Sequence, residues 1–109
     1  MKTHTFDGYT ILQGTSAKEN WELLDAAKQE HYFFHLSSFP SGYIILQCND
    51  GKPRQHIFQY CAKLCQEGTK YKNLQNLNVD YCQCSNVMKG DNVGEAVYKS
   101  IRRVNTARN

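Results

Sequence analysis

The chain has 109 residues, 40% of them apolar and 21% charged, with a formal net charge of +3. That is enough length for one core that closes without staples, and enough apolar content to exclude a disordered tail. No apolar run approaches the ~20 residues of a membrane span, and Met1 to Thr5 lack the apolar segment of a secretory signal, so the expected compartment is the cytoplasm.

In chain order, Phe6-Asp-Gly-Tyr9 sets an Asp-Gly pair between two aromatics, a tight-turn signal. A short strand is predicted from Tyr9 to Leu12, ended by Gly14. Ser16 and Glu19 have capping-box spacing and predict a helix from about Ala17 to Lys28. Its apolar stripe is Trp21, Leu24 and Ala27, with Leu23 beside it. Two runs follow, Tyr32 to Leu36 and Tyr43 to Cys48, on either side of Ser-Ser-Phe-Pro-Ser-Gly. Both are apolar at nearly every position, so both are expected as strands covered on two faces, at the centre of a sheet. His35 is the one ionisable ring in the first run. It reads either as a core histidine satisfied locally beside the Pro40–Tyr43 turn, or as a binding imidazole at the lip of the sheet.

Asn49 to Lys52 forms another turn signal. Pro53 suits the first turn of a helix, which Ile57, Cys61, Leu64 and Cys65 continue to Gly68. Lys70, Tyr71 and Lys72 fall in the loop that follows. Leu77 to Cys84 is predicted as a strand, Asn86 to Gly94 as a connection centred on Lys89, and Ala96 to Val104 as a last strand carrying Lys99, Arg102 and Arg103. The final five residues are expected to fray. The order β, α, β, β, α, β, β describes one α+β domain over residues 1–109, with its core at about 9–104. The expected architecture is a mixed, mostly antiparallel sheet of about five strands packed by two main helices.

Charge is uneven. Residues 1–50 hold three basic and six acidic side chains, whereas residues 51–109 hold ten basic and four acidic ones. A basic half on a small domain is the footprint of a polyanion partner. RNA binding asks for cations on phosphates and flat rings under unstacked bases. Lys70, Tyr71 and Lys72 offer both in one loop. Lys89, Lys99, Arg102 and Arg103 extend the positive surface if the last two strands are neighbours. Phe33, His35 and Tyr43 are the candidate stacking floor. The competing reading of each ring is core packing, and of each lysine a solvated charge.

Five cysteines, Cys48, Cys61, Cys65, Cys82 and Cys84, without any C-x-x-C pair, are expected as reduced thiols that hold neither a metal nor a disulfide. No phosphate-loop, dinucleotide or nucleophile-elbow motif is present, so neither a cofactor nor an enzymatic activity is expected. A small enzyme using His35 is the least favoured alternative.

Several short patterns occur together and in order: Gly14, Asn20 and Leu23; His31-Tyr-Phe33-Phe34-His35; Pro40-Ser41-Gly42-Tyr43; Ala62; Val79-Asp-Tyr81; Val87-Met-Lys89; and Gly94. In this order and spacing, from about Tyr9 to Val104, the chain resembles the NFACT RNA-binding (NFACT-R) domain family. His31, Phe33 and Tyr43 stand where that family carries Asp, Trp and a second His. The resemblance implies a non-catalytic nucleic-acid-binding module, for RNA such as tRNA or rRNA and associated with the ribosome, with DNA as a related possibility. A protein-interaction module that docks on a larger assembly is the alternative.

Overall fold

The computed structural model describes residues 1–37, 41–49, 52–70, 73–74 and 77–108. In chain order the elements are β1 (Lys2–Phe6), β2 (Tyr9–Gln13), α1 (Ala17–Ala26), β3 (Tyr32–Leu36), β4 (Ile44–Gln47), α2 (Gln55–Glu67), β5 (Asn78–Gln83), β6 (Val87–Lys89), β7 (Ala96–Tyr98) and β8 (Asn105–Arg108). Short 3₁₀ turns at Cys84–Asn86 and Ile101–Arg103 join the later strands.

Six strands form one sheet in the order β1-β2-β4-β3-β5-β8, and β6 with β7 makes a separate hairpin. The two apolar runs are the central strands, because only strands covered on both faces tolerate unbroken apolar sequence. Every pairing is antiparallel. The sheet is therefore not mixed. Each helix joins strands two places apart in the sheet: α1 carries the chain from β2 to β3 across β4, and α2 carries it from β4 to β5 across β3. The skipped strand fills the gap that parallel pairing would otherwise occupy.

Strand alternation divides the core into two. Phe34, Leu36, Ile44, Leu46 and Val79 face α2, where Ile57, Phe58, Cys61, Ala62 and Cys65 meet them. Phe33, Tyr43, Ile45 and Cys82 face the other way, against Leu23 of α1 and Val87 of the hairpin. Full burial of each large side chain contributes roughly 1.5–3 kcal/mol, so both faces of β3 and β4 stabilise the sheet.

The ends depart from expectation. β1 turns into β2 through Asp7 and Gly8 at φ 51° and 84°, the primed turn that suits a two-residue hairpin. The first helix stops at Ala26, with the Ala27 N–H bonded to the Leu23 carbonyl, two residues short of Lys28. Pro53 precedes the second helix, whose N-cap is Arg54. Residues 87–89 form a strand where the sequence predicts a connection. The predicted strand from Ala96 to Val104 is split: Ala96–Tyr98 pairs with β6, and the 3₁₀ turn then swings the chain onto β5. Asn105–Arg108, within the tail expected to fray, form β8, which seats Ala107 in the core. The fold thus extends beyond 9–104 at both ends.

Candidate nucleic-acid interface

Two of the aromatic candidates, Phe33 and Tyr43, belong to the core. Tyr43 is fully buried. Its hydroxyl donates to the Gly94 carbonyl at 2.6 Å and its backbone N–H donates to Asn20 Oδ1 at 3.0 Å. Its ring meets Phe33 edge-on at 4.8 Å, and Phe33 is equally buried. Neither ring has a face free for a base, which corrects the expected stacking floor. Burial, helped by the nearby Glu95 charge, pushes the Tyr43 phenol up to about 12. Gly94 lies at φ 87°, against the Ala17 backbone of α1, so the bond from Tyr43 ties the hairpin loop to the start of β4 where the loop also rests on the helix.

His35 is half-buried at the end of β3. Its Nδ1 lies 2.8 Å from the Leu36 carbonyl, which can only accept, so Nδ1 carries the proton and Nε2 is left as an acceptor. The ring lies parallel to Phe33 at 6.3 Å and edge-on to Tyr43 at 5.8 Å. Burial lowers its pKa, opposed by the Leu36 hydrogen bond and the charge of Asp80. Asp80 is its partner across the β3–β5 ladder. Asp80 also accepts from the Ser37 hydroxyl at 2.7 Å, and its charge acts on the Tyr98 phenol. Burial raises the Tyr98 phenol first, and Asp80 raises it further. The sequence reading missed this polar group of His35, Ser37, Asp80 and Tyr98. Its signal was Asp80 itself, a carboxylate inside the otherwise apolar alternation of Val79 and Tyr81.

The cations separate into two regions. Lys70 is exposed and lines a hollow of about 430 Å³ with Gly14, Ser16, Asn20, Ser41 and Thr69. Its intended companions Tyr71 and Lys72 lie outside the described residues. The second region surrounds the β6–β7 hairpin. Lys89 ends β6, but its ammonium sits 2.7 Å from Asp25 and 5.1 Å from the centre of the Trp21 ring. Its charge is matched locally, so it clamps the hairpin to α1 and does not extend a free positive surface. Trp21 adds a second clamp, donating from Nε1 to the Glu95 carbonyl at 2.9 Å.

Lys99, Arg102 and Arg103 are exposed, and among the described residues none of the three forms an ion pair. Arg103 donates to Ser85 Oγ at 3.0 Å. Ser85, Lys89 and Lys99 share one hollow of about 390 Å³. The structure therefore groups Lys89, Lys99 and Arg103 around the Cys84–Asn86 turn and leaves Lys70 elsewhere. The strands expected to present these cations side by side are not neighbours: β7 pairs with β6, and β5 pairs with β8.

The five cysteines are all buried free thiols. Burial pushes Cys65 up to about 11 and Cys84 up to about 12, so both are protonated at neutral pH. Among the described residues no cluster of His, Cys, Asp or Glu has the makings of a metal site.

No protein-family model matches the chain. No curated protein matches it either. Among solved structures it is similar to the C-terminal part of a fibronectin/fibrinogen-binding protein from Streptococcus suis, with a TM-score of 0.85 and 23% sequence identity. The match covers 97% of this chain and 43% of that one, so the chain spans less than half the length of the solved structure. At this identity the likeness establishes the α+β fold alone.

Proposed function

We propose that this chain is a non-catalytic nucleic-acid-binding module, with RNA as its first ligand, acting in the cytoplasm. The observation that carries the reading is the cationic turn after β7. Lys99, Arg102 and Arg103 present three exposed charges within five residues, with no carboxylate paired to them among the described residues. Unmatched surface cations at this density attract phosphates and release condensed counterions when they bind them. Lys70 adds a second contact from its separate hollow. The resemblance to the NFACT-R family supports the same ligand class, and a ribosome-associated RNA is the target it favours.

The experiment is a set of titrations with tRNA and with single-stranded RNA across salt concentrations. Replacing Lys99, Arg102 and Arg103 together by alanine lowers the salt slope by roughly 0.7 to 0.9 for each phosphate that is no longer neutralised. Duplex and single-stranded RNA weaken alike, because phosphate contacts carry little sequence information. A wild-type protein with no RNA affinity at low salt overturns the reading. A second reading, docking on a partner protein, draws on a different observation, namely the aliphatic side chains exposed on the same hairpin.

A further inference from the structure

The described residues include six exposed large hydrophobics, and four of them, Met88, Val93, Val97 and Ile101, fall within residues 88–101. Met88 and Val97 are direct partners across the β6–β7 ladder. Their neighbours Val87 and Tyr98 point inward to the core, so Met88 and Val97 form the outer face of the hairpin, 47% and 40% exposed. Val93 lies in the loop between the two strands, and Ile101 opens the turn after β7, 74% exposed. Solvation alone gives no reason to gather aliphatic side chains on a hairpin that Asp25 and Trp21 of α1 and the Tyr43 hydroxyl already hold from the other side. Lys99 lies within this stretch, and Arg102 and Arg103 follow it directly.

We infer that the outer face of the β6–β7 hairpin docks an acidic amphipathic segment of a partner protein: Met88 and Val97 receive its apolar side chains, while Lys99, Arg102 and Arg103 pair with its carboxylates. Charge decides the occupant. A second copy of this chain would bring the same three cations against each other, and like charges at an interface rim select against that pairing. Nucleic acid fits the cations but not the floor. Unstacked bases lie on flat rings, but Phe33, Tyr43 and Tyr98 pack into the core, and the Trp21 ring beside the hairpin is covered by the Lys89 ammonium. An aliphatic floor with a cationic rim is complementary to alternating aliphatic and acidic side chains. This inference goes beyond the nucleic-acid reading and shares only its cationic turn. The two ligands therefore compete: an acidic segment seated on Met88 and Val97 occupies the charges that phosphates would use.

The test uses the full chain and two fluorescent peptides, one alternating glutamate with leucine and one of glutamate alone. The expected result is saturable binding of the alternating peptide, with the all-glutamate peptide weaker by about tenfold or more, since it lacks the apolar side chains. The variant Met88→Gln/Val97→Thr keeps exposed side chains of similar size and strand preference. It should erase the difference between the peptides while leaving tRNA affinity unchanged, and the alternating peptide should displace tRNA from wild type. Equal binding of the two peptides, or of neither, overturns the inference even where tRNA still binds. So does a loss of single-stranded RNA affinity in Met88→Gln/Val97→Thr, which would make the face a nucleic-acid surface. A concentration-dependent dimer that this variant abolishes overturns it in favour of self-association. A protein that binds neither peptide nor RNA removes both readings.

Discussion

A single ring shows how direction decides role. Tyr43 sits next to Ser41 and Gly42 in a turn-rich stretch, and the sequence alone leaves open whether its ring points to the lip or the core. The ladder resolves it. Tyr43, the residue before β4, packs on the same side as Ile45, toward α1 and the hairpin, and its hydroxyl ends at Gly94. Tyr43→Phe should therefore reduce stability by about 1 kcal/mol and free the hairpin loop, because the Gly94 carbonyl loses its donor. Chemical denaturation gives the first quantity, and amide exchange in residues 90–95 gives the second. RNA affinity should not change, since the ring does not touch the ligand. His35 makes a different residue-scale prediction. Burial holds its pKa below the ordinary 6.5. The unfolded chain takes up a proton there that the folded chain refuses, so stability is full above 6.5 and falls as the pH drops below it. The variant His35→Gln lacks that linkage. Its melting temperature should fall less than that of wild type on going from about pH 7.5 to about pH 5. Parallel melting curves across that range would show that another group governs acid sensitivity.

At the scale of elements, the chain ends carry more of the fold than their composition suggests. Asn105-Thr106-Ala107-Arg108 has a single apolar residue and no alternation to read, which is why its sequence predicts fraying. Its order comes from a non-local source, the open edge of β5, where Val79 pairs with Ala107 and Asn78 with Arg108. Removing residues 105–109 should cost at least ~2 kcal/mol, because ladder hydrogen bonds disappear and the core around Val79 is exposed. A truncated chain that unfolds at the same denaturant concentration as the full one would contradict this. Lys2–Phe6 was invisible for the same reason: its Lys-Thr-His-Thr sequence has no apolar face, and pairing with β2 organises it. What was legible was local or strongly patterned. Ser16 caps α1 through the Glu19 N–H, Gly68 ends α2, Asp7-Gly8 makes the hairpin turn, and the two unbroken apolar runs are the central strands. The break between β7 and β8 was not legible. Ser100 to Val104 reads as a continuing strand until one knows that β5, and not β6, is waiting at the end of the turn.

Across the whole molecule, the charge imbalance between the two halves of the chain does not become a single positive face. Lys89 is paired with Asp25, and Lys63 lies on the exposed side of α2. Of the candidate binding cations, Lys70 and the stretch from Lys99 to Arg103 lie in two separate regions. Bound phosphates each displace their own counterions, so separate sites contribute to the salt slope independently. If one RNA strand follows a path over both regions, Lys70→Ala should lower the slope by roughly 0.7 to 0.9 by itself. It should lower it by the same amount when added to the Lys99, Arg102 and Arg103 triple substitution. Sites without shared partners usually combine additively, and Lys70 lines a hollow that holds none of the three. Short and long single-stranded RNAs then separate the two geometries. A strand too short to reach both regions should respond to the triple substitution alone, while tRNA should respond to both changes. If Lys70→Ala leaves the slope unchanged for every RNA, the nucleic-acid path is confined to the turn after β7. The Gly14–Ser41 hollow would then have no part in it.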